Sequence, residues 1–146
     1  MANYCCTVRT NYFHVKDEGK FRELMSRVCG CEDRVELWEK IDPDGKSVFG
    51  FGVYGGIAGL RNAQDEEDCD IDESSYDEFV DGLQGCVADD DAIIIMEVGN
   101  EKMRYVVGSA TIITSKEYRY MDISELATSK AAEMLGNIGW QTRCYY

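Results

Sequence analysis

Three runs of strand-like residues crowded into positions 92–121 limit this chain more than any other feature. Ile93–Val98, Met103–Thr114 and Tyr118–Met121 are rich in β-branched and aromatic residues, and Gly99-Asn100-Glu101 reads as the first turn between them. Parallel neighbours need a crossover of a dozen or more residues, and these connections are too short for one, so the run predicts an antiparallel meander. A hairpin stands upstream, with Val35–Ile41 and Ser47–Tyr54 flanking Asp42-Pro43-Asp44-Gly45. Proline presets one backbone angle of that turn and glycine accepts a positive one. Cys5–Val15 alternates and predicts a strand, whereas the glycine-rich stretch from Gly55 to Gln64 predicts a loop.

Three helices fill the remaining intervals. Asp17 caps the first, which turns Phe21, Leu24, Met25 and Val28 to one side and stops at Gly30. The second starts at Ser75 with Glu78 completing a capping box, buries Tyr76, Phe79, Val80 and Leu83, and ends at Gly85. Asp122 and Glu125 open the third, whose Ile123, Leu126, Ala127, Ala131, Met134 and Leu135 are expected to face inward. The order β-α-β-β-loop-α-β-β-β-α predicts an α+β fold, an antiparallel sheet with helices packed on one face. The other face can stay wet and carry function. At 146 residues and 45% hydrophobic content, the chain is expected to form one domain over 1–146, with an acidic loop-helix segment at 62–91.

The distribution of charge is the informative functional signal. Net charge is −13, yet residues 62–101 hold 15 acids and no base, while the rest of the chain carries 13 acids and 15 bases. A solvated loop explains part of this, and Asp77 and Glu78 suit a helix N-terminus. Solubility alone asks for far less, since a net charge of roughly 2–8 suffices for a small domain. The expectation is an electronegative binding face built from Asp65, Glu66, Glu67, Asp68, Asp70, Asp72, Glu73, Asp77, Glu78 and Asp81. Such a face repels nucleic acid and anionic membrane and attracts cationic proteins. Spaced carboxylates can reproduce the charge pattern of phosphates and occupy a channel lined with Lys and Arg.

Rival chemistries leave weaker marks. Asp68-x-Asp70-x-Asp72 opens like a calcium loop, but its sixth and twelfth positions are Glu73 and Phe79 where glycine and glutamate are needed. Gly50-Phe51-Gly52-Val53-Tyr54-Gly55 matches G-x-G-x-x-G, yet no helix follows to receive a phosphate. His14 is the sole histidine, and a nucleophile such as Cys5, Cys6 or Cys29 beside it lacks a visible orienting group. The seven cysteines read as reduced, mostly core-filling thiols, and Cys29-x-Cys31 is too tight for zinc. No enzyme activity, cofactor or metal site is expected. The longest clean apolar run, Ala92–Met96, is far short of the ~20 residues that span a bilayer, and Asn3, Tyr4, Arg9 and Asn11 break up any export signal, so the expected location is cytoplasmic. Trp38 is the aromatic most expected on the surface. With Trp140, Tyr145 and Tyr146 it makes self-association through the open sheet face or a strand edge a further expectation, a homodimer.

The stretch Arg9-Thr10-Asn11-Tyr12-Phe13-His14-Val15-Lys16-Asp17-Glu18, followed by Phe21 and the Phe49-Gly50-Phe51-Gly52 strand, resembles small acidic proteins carried by phages and integrative elements of gut Firmicutes. Size and acidity are similar to those of anti-CRISPR and anti-restriction proteins, several of which mimic DNA. The resemblance implies a counter-defence role in a bacterial host cell without saying which nuclease is blocked, and a CRISPR effector nuclease is the expected partner. Those inhibitors share no motif, so no individual residue role carries over. Two other readings stay open: an adaptor domain whose acids only solubilise it, and a weak calcium-binding module.

Overall fold

The computed structural model describes residues 4–61 and 75–142. In chain order the elements are β1 (Cys5–Thr10), α1 (Glu18–Arg27), β2 (Val28–Gly30), β3 (Glu36–Ile41), β4 (Ser47–Tyr54), β5 (Ile57–Leu60), α2 (Ser75–Cys86), β6 (Ile93–Glu101), β7 (Tyr105–Ile113), β8 (Tyr118–Asp122) and α3 (Ile123–Met134). Six strands form one sheet in the order β3-β4-β1-β6-β7-β8, every neighbouring pair antiparallel. The α+β antiparallel architecture expected from the sequence is the one formed.

β1 joins the two hairpin systems, pairing Val8 with Val53 of β4 and with Glu97 of β6. Its last residue, Thr10, is buried, and its hydroxyl accepts from the Phe51 N–H and donates to the Asn11 carbonyl, so no polar atom is orphaned there. Beyond Thr10 the backbone leaves β6, and the Asn11 side chain takes over the ladder. Its Oδ1 accepts from the Ile94 N–H at 2.8 Å and its Nδ2 donates to the Ala92 carbonyl at 3.0 Å. The strand expected to run to Val15 therefore ends at Thr10, and Phe13 and Val15 continue it only as isolated bridges to Phe49 and Val87.

One face of the sheet is closed by α1 and α2. All five phenylalanines, Phe13, Phe21, Phe49, Phe51 and Phe79, are fully buried there. Their rings meet edge-on or tilted, Phe13 lying 5.6 Å from Phe21 and 6.3 Å from Phe51, and Phe51 5.8 Å from Phe79. Val8, Ile93, Ile95 and Ile113 supply the sheet side of this core, and Met25, Val80 and Leu83 the helix side. Asp17 caps α1 by accepting from the Lys20 N–H, and Arg22 ties the helix to β3 through Glu39 at 2.7 Å. A Cβ at Gly82 would come within 2.9 Å of Leu24, which accounts for a glycine inside α2 despite its cost of ~1 kcal/mol in helix propensity.

Three expectations give way. The Gly55–Gln64 loop contains β5, which pairs with β2 in a separate two-stranded ribbon, Cys29 opposite Gly59. Glycines at three of six positions hid a strand whose partner is the end of α1, so Gly30 is in a strand and the helix stops at Arg27. The β6–β7 turn falls three residues late, because Gly99, Asn100 and Glu101 are still paired and Lys102 takes the positive φ of 48°. Finally, α3 turns the opposite side inward. It leaves β8 without a loop, Asp122 being both the last strand residue and the N-cap, so the strand register sets the helix phase. Ala132 is buried and Ala131 half-buried, while Ile123, Leu126, Met134 and Leu135 are exposed.

α3 also meets the sheet from the face opposite α1 and α2. Ile123 sits within 3.0 Å of where a Cβ on Gly108 would be, and Gly108 pairs with Val98 on the face away from the core. Among the described residues no helix is long and apolar enough to cross a membrane.

The ring cluster predicts that Phe13→Ala lowers unfolding free energy by ~3–5 kcal/mol in urea denaturation. Gly52→Ala should also destabilise, because its Cβ would lie 2.7 Å from the Trp38 ring and 2.9 Å from the Val8 carbonyl oxygen.

Candidate functional site

Of the ten acids expected to form a binding face, Asp65, Glu66, Glu67, Asp68, Asp70, Asp72 and Glu73 lie outside the described residues, as does the calcium-like spacing they contain. The remaining three are on α2. Phe79, Val80, Leu83 and Cys86 turn into the core, which leaves Asp77, Glu78 and Asp81 pointing to solvent. None of them makes an ion pair with a described residue. Asp77 and Glu78 favour the positive end of the helix, whereas Asp81 lies one turn past Asp77 and repels it, a like-charge i,i+4 pair costing ~0.2–0.5 kcal/mol.

The rest of the acidic window does not stay together as one unpaired face. Asp89 pairs with Lys16 at 3.3 Å, and hydrogen bonds from Ser115 and Lys16 hold its carboxyl below the ordinary 3.8. Glu97 accepts from the Tyr4 hydroxyl at 3.2 Å, and Glu101 lies 3.9 Å from Arg104. The bases absent from residues 62–101 are thus partly supplied by other elements.

The most organised polar cluster lies where sequence reading saw no orienting group. His14, between β1 and α1, is held at both ring nitrogens, Nε2 by Asp42 at 2.6 Å and Nδ1 by Asp91 at 2.8 Å. Asp42 belongs to the β3–β4 turn, where its other oxygen accepts from the Asp44 and Lys46 N–H groups. Asp91 precedes β6 and also accepts from the His14 and Ala92 N–H groups. Carboxylates can only accept, so the arrangement favours the doubly protonated ring, the imidazolium, in which both nitrogens donate.

The energetics agree with that geometry. The hydrogen bond to Asp42, then that to Asp91, raises His14 above its ordinary 6.5. Asp42 is lowered from 3.8 chiefly by His14, whereas burial works against Asp91 and is outweighed by its hydrogen bonds to His14 and Ala92. The clamp closes one side of an open hollow of about 460 Å³ whose wall also includes Glu18, Lys46, Ser47 and Asp90. No cysteine lines it. While both nitrogens donate, His14 has no free lone pair for a metal or for proton abstraction. Its contacts span 28 and 77 residues, a separation that no local pattern reveals.

Among the described residues the thiols fall into two groups. Cys29 and Cys86 are buried in the manner of core filler, but Cys5 and Cys31 are exposed and Cys6 half-buried. Cys6 and Cys31 both approach Gly56, and burial followed by nearby carboxylates (Glu97 for Cys6, Glu32 for Cys31) raises both above the ordinary thiol value. That environment disfavours the reactive thiolate. Among the described residues no group of three His, Cys, Asp or Glu side chains converges as a metal site.

The exposed side of the sheet has two unlike halves. Over β3, β4 and β1, Trp38 lies on Gly52 and Tyr12 on Gly50, so the missing glycine side chains are replaced by flat rings. Arg9 stacks on Trp38 at 5.1 Å and Lys40 on Tyr12 at 4.0 Å. Trp38 is therefore half-buried rather than the most exposed aromatic, a place taken by Tyr54 and Tyr120. Over β6, β7 and β8 no ring among the described residues takes that place; α3 sets Ile123 against Gly108, and Ile94, Met96, Val98 and Val106 stay exposed.

Comparison with known proteins finds no matching family, no matching curated protein and no matching solved structure.

The His14 clamp sets the pH dependence of stability. Its imidazolium contribution is complete below pH 6.5 and disappears as pH rises through the raised value in the folded state. The carboxylate contribution is complete above pH 3.8 and disappears as pH falls through the lowered values of Asp42 and Asp91. Thermal unfolding from pH 3 to 9 should show the wild type most stabilised over His14→Gln between those limits. The two melting curves should converge toward alkaline pH.

Proposed function

We propose that this is a non-enzymatic binding protein that inhibits a nucleic-acid-handling defence enzyme, a CRISPR effector nuclease in the first instance, by docking its acidic side in the enzyme's cationic channel. The observation that carries the reading is the exposed edge of α2. Asp77, Glu78 and Asp81 project from a helix fixed by the phenylalanine core, free of ion pairs with described residues, next to a segment in which every charged residue is acidic. Charges on a packed helix are pre-oriented, so docking loses less side-chain and backbone entropy than ordering a free tail. Complementary charge accelerates encounter and makes it salt-sensitive.

A second reading, an adaptor that binds through its sheet, is favoured by the bare apolar half over β6, β7 and β8. The two readings differ in which substitutions matter. Titration into cleavage assays of guide-loaded CRISPR nucleases should show inhibition that weakens steadily with added salt. Replacing Asp70, Asp77, Glu78 and Asp81 by Lys should weaken it ~10-fold or more at low salt, with the urea midpoint of the protein unchanged. Undiminished potency in that variant would leave the acids as solubilising surface and favour the adaptor.

A further inference from the structure

We propose that the bare half of the sheet, together with the outer side of α3, is the surface through which two copies of this chain associate. The strand register makes the apolar strip continuous. Met96, Ala110 and Met121 form one cross-strand row, Ile94 and Ile112 lie in the next, and Val98 pairs with Gly108 beneath Ile123. Exposure is high along the strip and the helix: Met96 52%, Val98 57%, Val106 61%, Ile123 63%, Leu126 49% and Met134 79%.

The orientation of α3 carries the inference. A surface helix serving only its own core turns its large apolar residues inward. Here Ser124, Thr128, Ala131 and Ala132 take the covered positions, and the large apolar residues face water. Leu135 and Ile138 extend the same exposure past the end of the helix.

The area matches what a dimer needs. With Ile94, Met121, Leu135 and Ile138 included, the surface leaves about six aliphatic side chains' worth of area in water, or ~350–700 Å² at ~60–120 Å² each. A standard interface takes ~800 Å² from each partner, and homodimer interfaces are ~65% apolar, which is ~520 Å².

Self-complementarity and charge select a second copy over a foreign chain. A helical ridge stands beside a flat strip on the same face, so a two-fold rotation places each ridge on the other copy's strip. The charge on the outward positions of β6, β7 and β8 is Arg119, paired with Glu117 at 3.2 Å, and on α3 Lys130, on the side of Leu126 and Met134, pairs with Glu133 at 3.3 Å, so the charges brought into this contact are already neutralised in pairs. Asp77, Glu78 and Asp81 lie across the sheet. Two copies meeting here hold their acidic sides apart, whereas meeting through α2 would oppose like charge.

Sedimentation equilibrium across nanomolar to ~100 µM protein tests this. The wild type should reach twice the 16.5 kDa chain mass. Met96→Lys and Leu126→Lys, both at exposed positions, should each raise the apparent dissociation constant ~100-fold or more while the circular dichroism spectrum and urea midpoint stay unchanged. A wild type that remains monomeric at ~100 µM overturns the proposal, and a dimer that survives both lysines overturns it too, because the contact is then elsewhere. Both variants keep Asp77, Glu78 and Asp81, so the inhibitor reading is tested separately.

Discussion

A sheet of six strands has two faces, and apolar residues on each must be covered or left to meet something else. This chain covers the middle of one face and leaves Leu37, Ile41, Tyr118 and Tyr120 exposed on its two edge strands. Its five phenylalanines and the inner sides of α1 and α2 all go to that face, with Phe13, Phe21, Phe49, Phe51 and Phe79 at zero exposure. The other face is served differently. Half of it is sealed by Trp38 and Tyr12 lying flat on glycines, and half stays apolar and open. The polar clamp at His14 and the exposed surfaces on either side follow from this division.

The same division separates the electrostatics. The unpaired acids of α2 stand on the closed side, and the cations Arg9 and Lys40 stand on the open side, stacked on rings. The molecule thus presents the acidic edge of α2 on one side of the sheet and an apolar strip on the other. His14 joins three connections, those after β1, after β3 and before β6, the first and last of which also share the backbone hydrogen bond from the Ala88 N–H to the His14 carbonyl. Protonation holds this junction through charge-assisted hydrogen bonds rather than through packing.

Elements built on local chemistry were legible in the sequence. Asp17 and Asp122 cap helices as their spacing implies, Gly45 takes its positive φ in the Asp42 turn, and Ser47–Tyr54 forms a strand with those limits. What depended on distant partners was not. β5 is too short and glycine-rich to signal itself, and forms because β2 lies alongside it. The inward side of α3 follows from its loopless departure from β8, which periodicity does not encode. His14 looked solitary because its two carboxylates arrive through sheet order, not through nearby sequence. The acidic window read as one uniform face, and folding divided it between ion-paired Asp89, clamped Asp91 and the free edge of α2.

Oxidative footprinting of the methionines tests directly the claim that one face is closed internally and the other is closed by a second copy. Met25 is 8% exposed within the core and Met103 is 91% exposed at the β6–β7 turn, so they bracket the scale. Peroxide modification, read residue by residue at rising protein concentration, should leave Met25 protected and Met103 reactive throughout. Met96 and Met134 should pass from reactive to protected as dimer forms. Equal reactivity of Met96, Met134 and Met103 at every concentration would contradict the account.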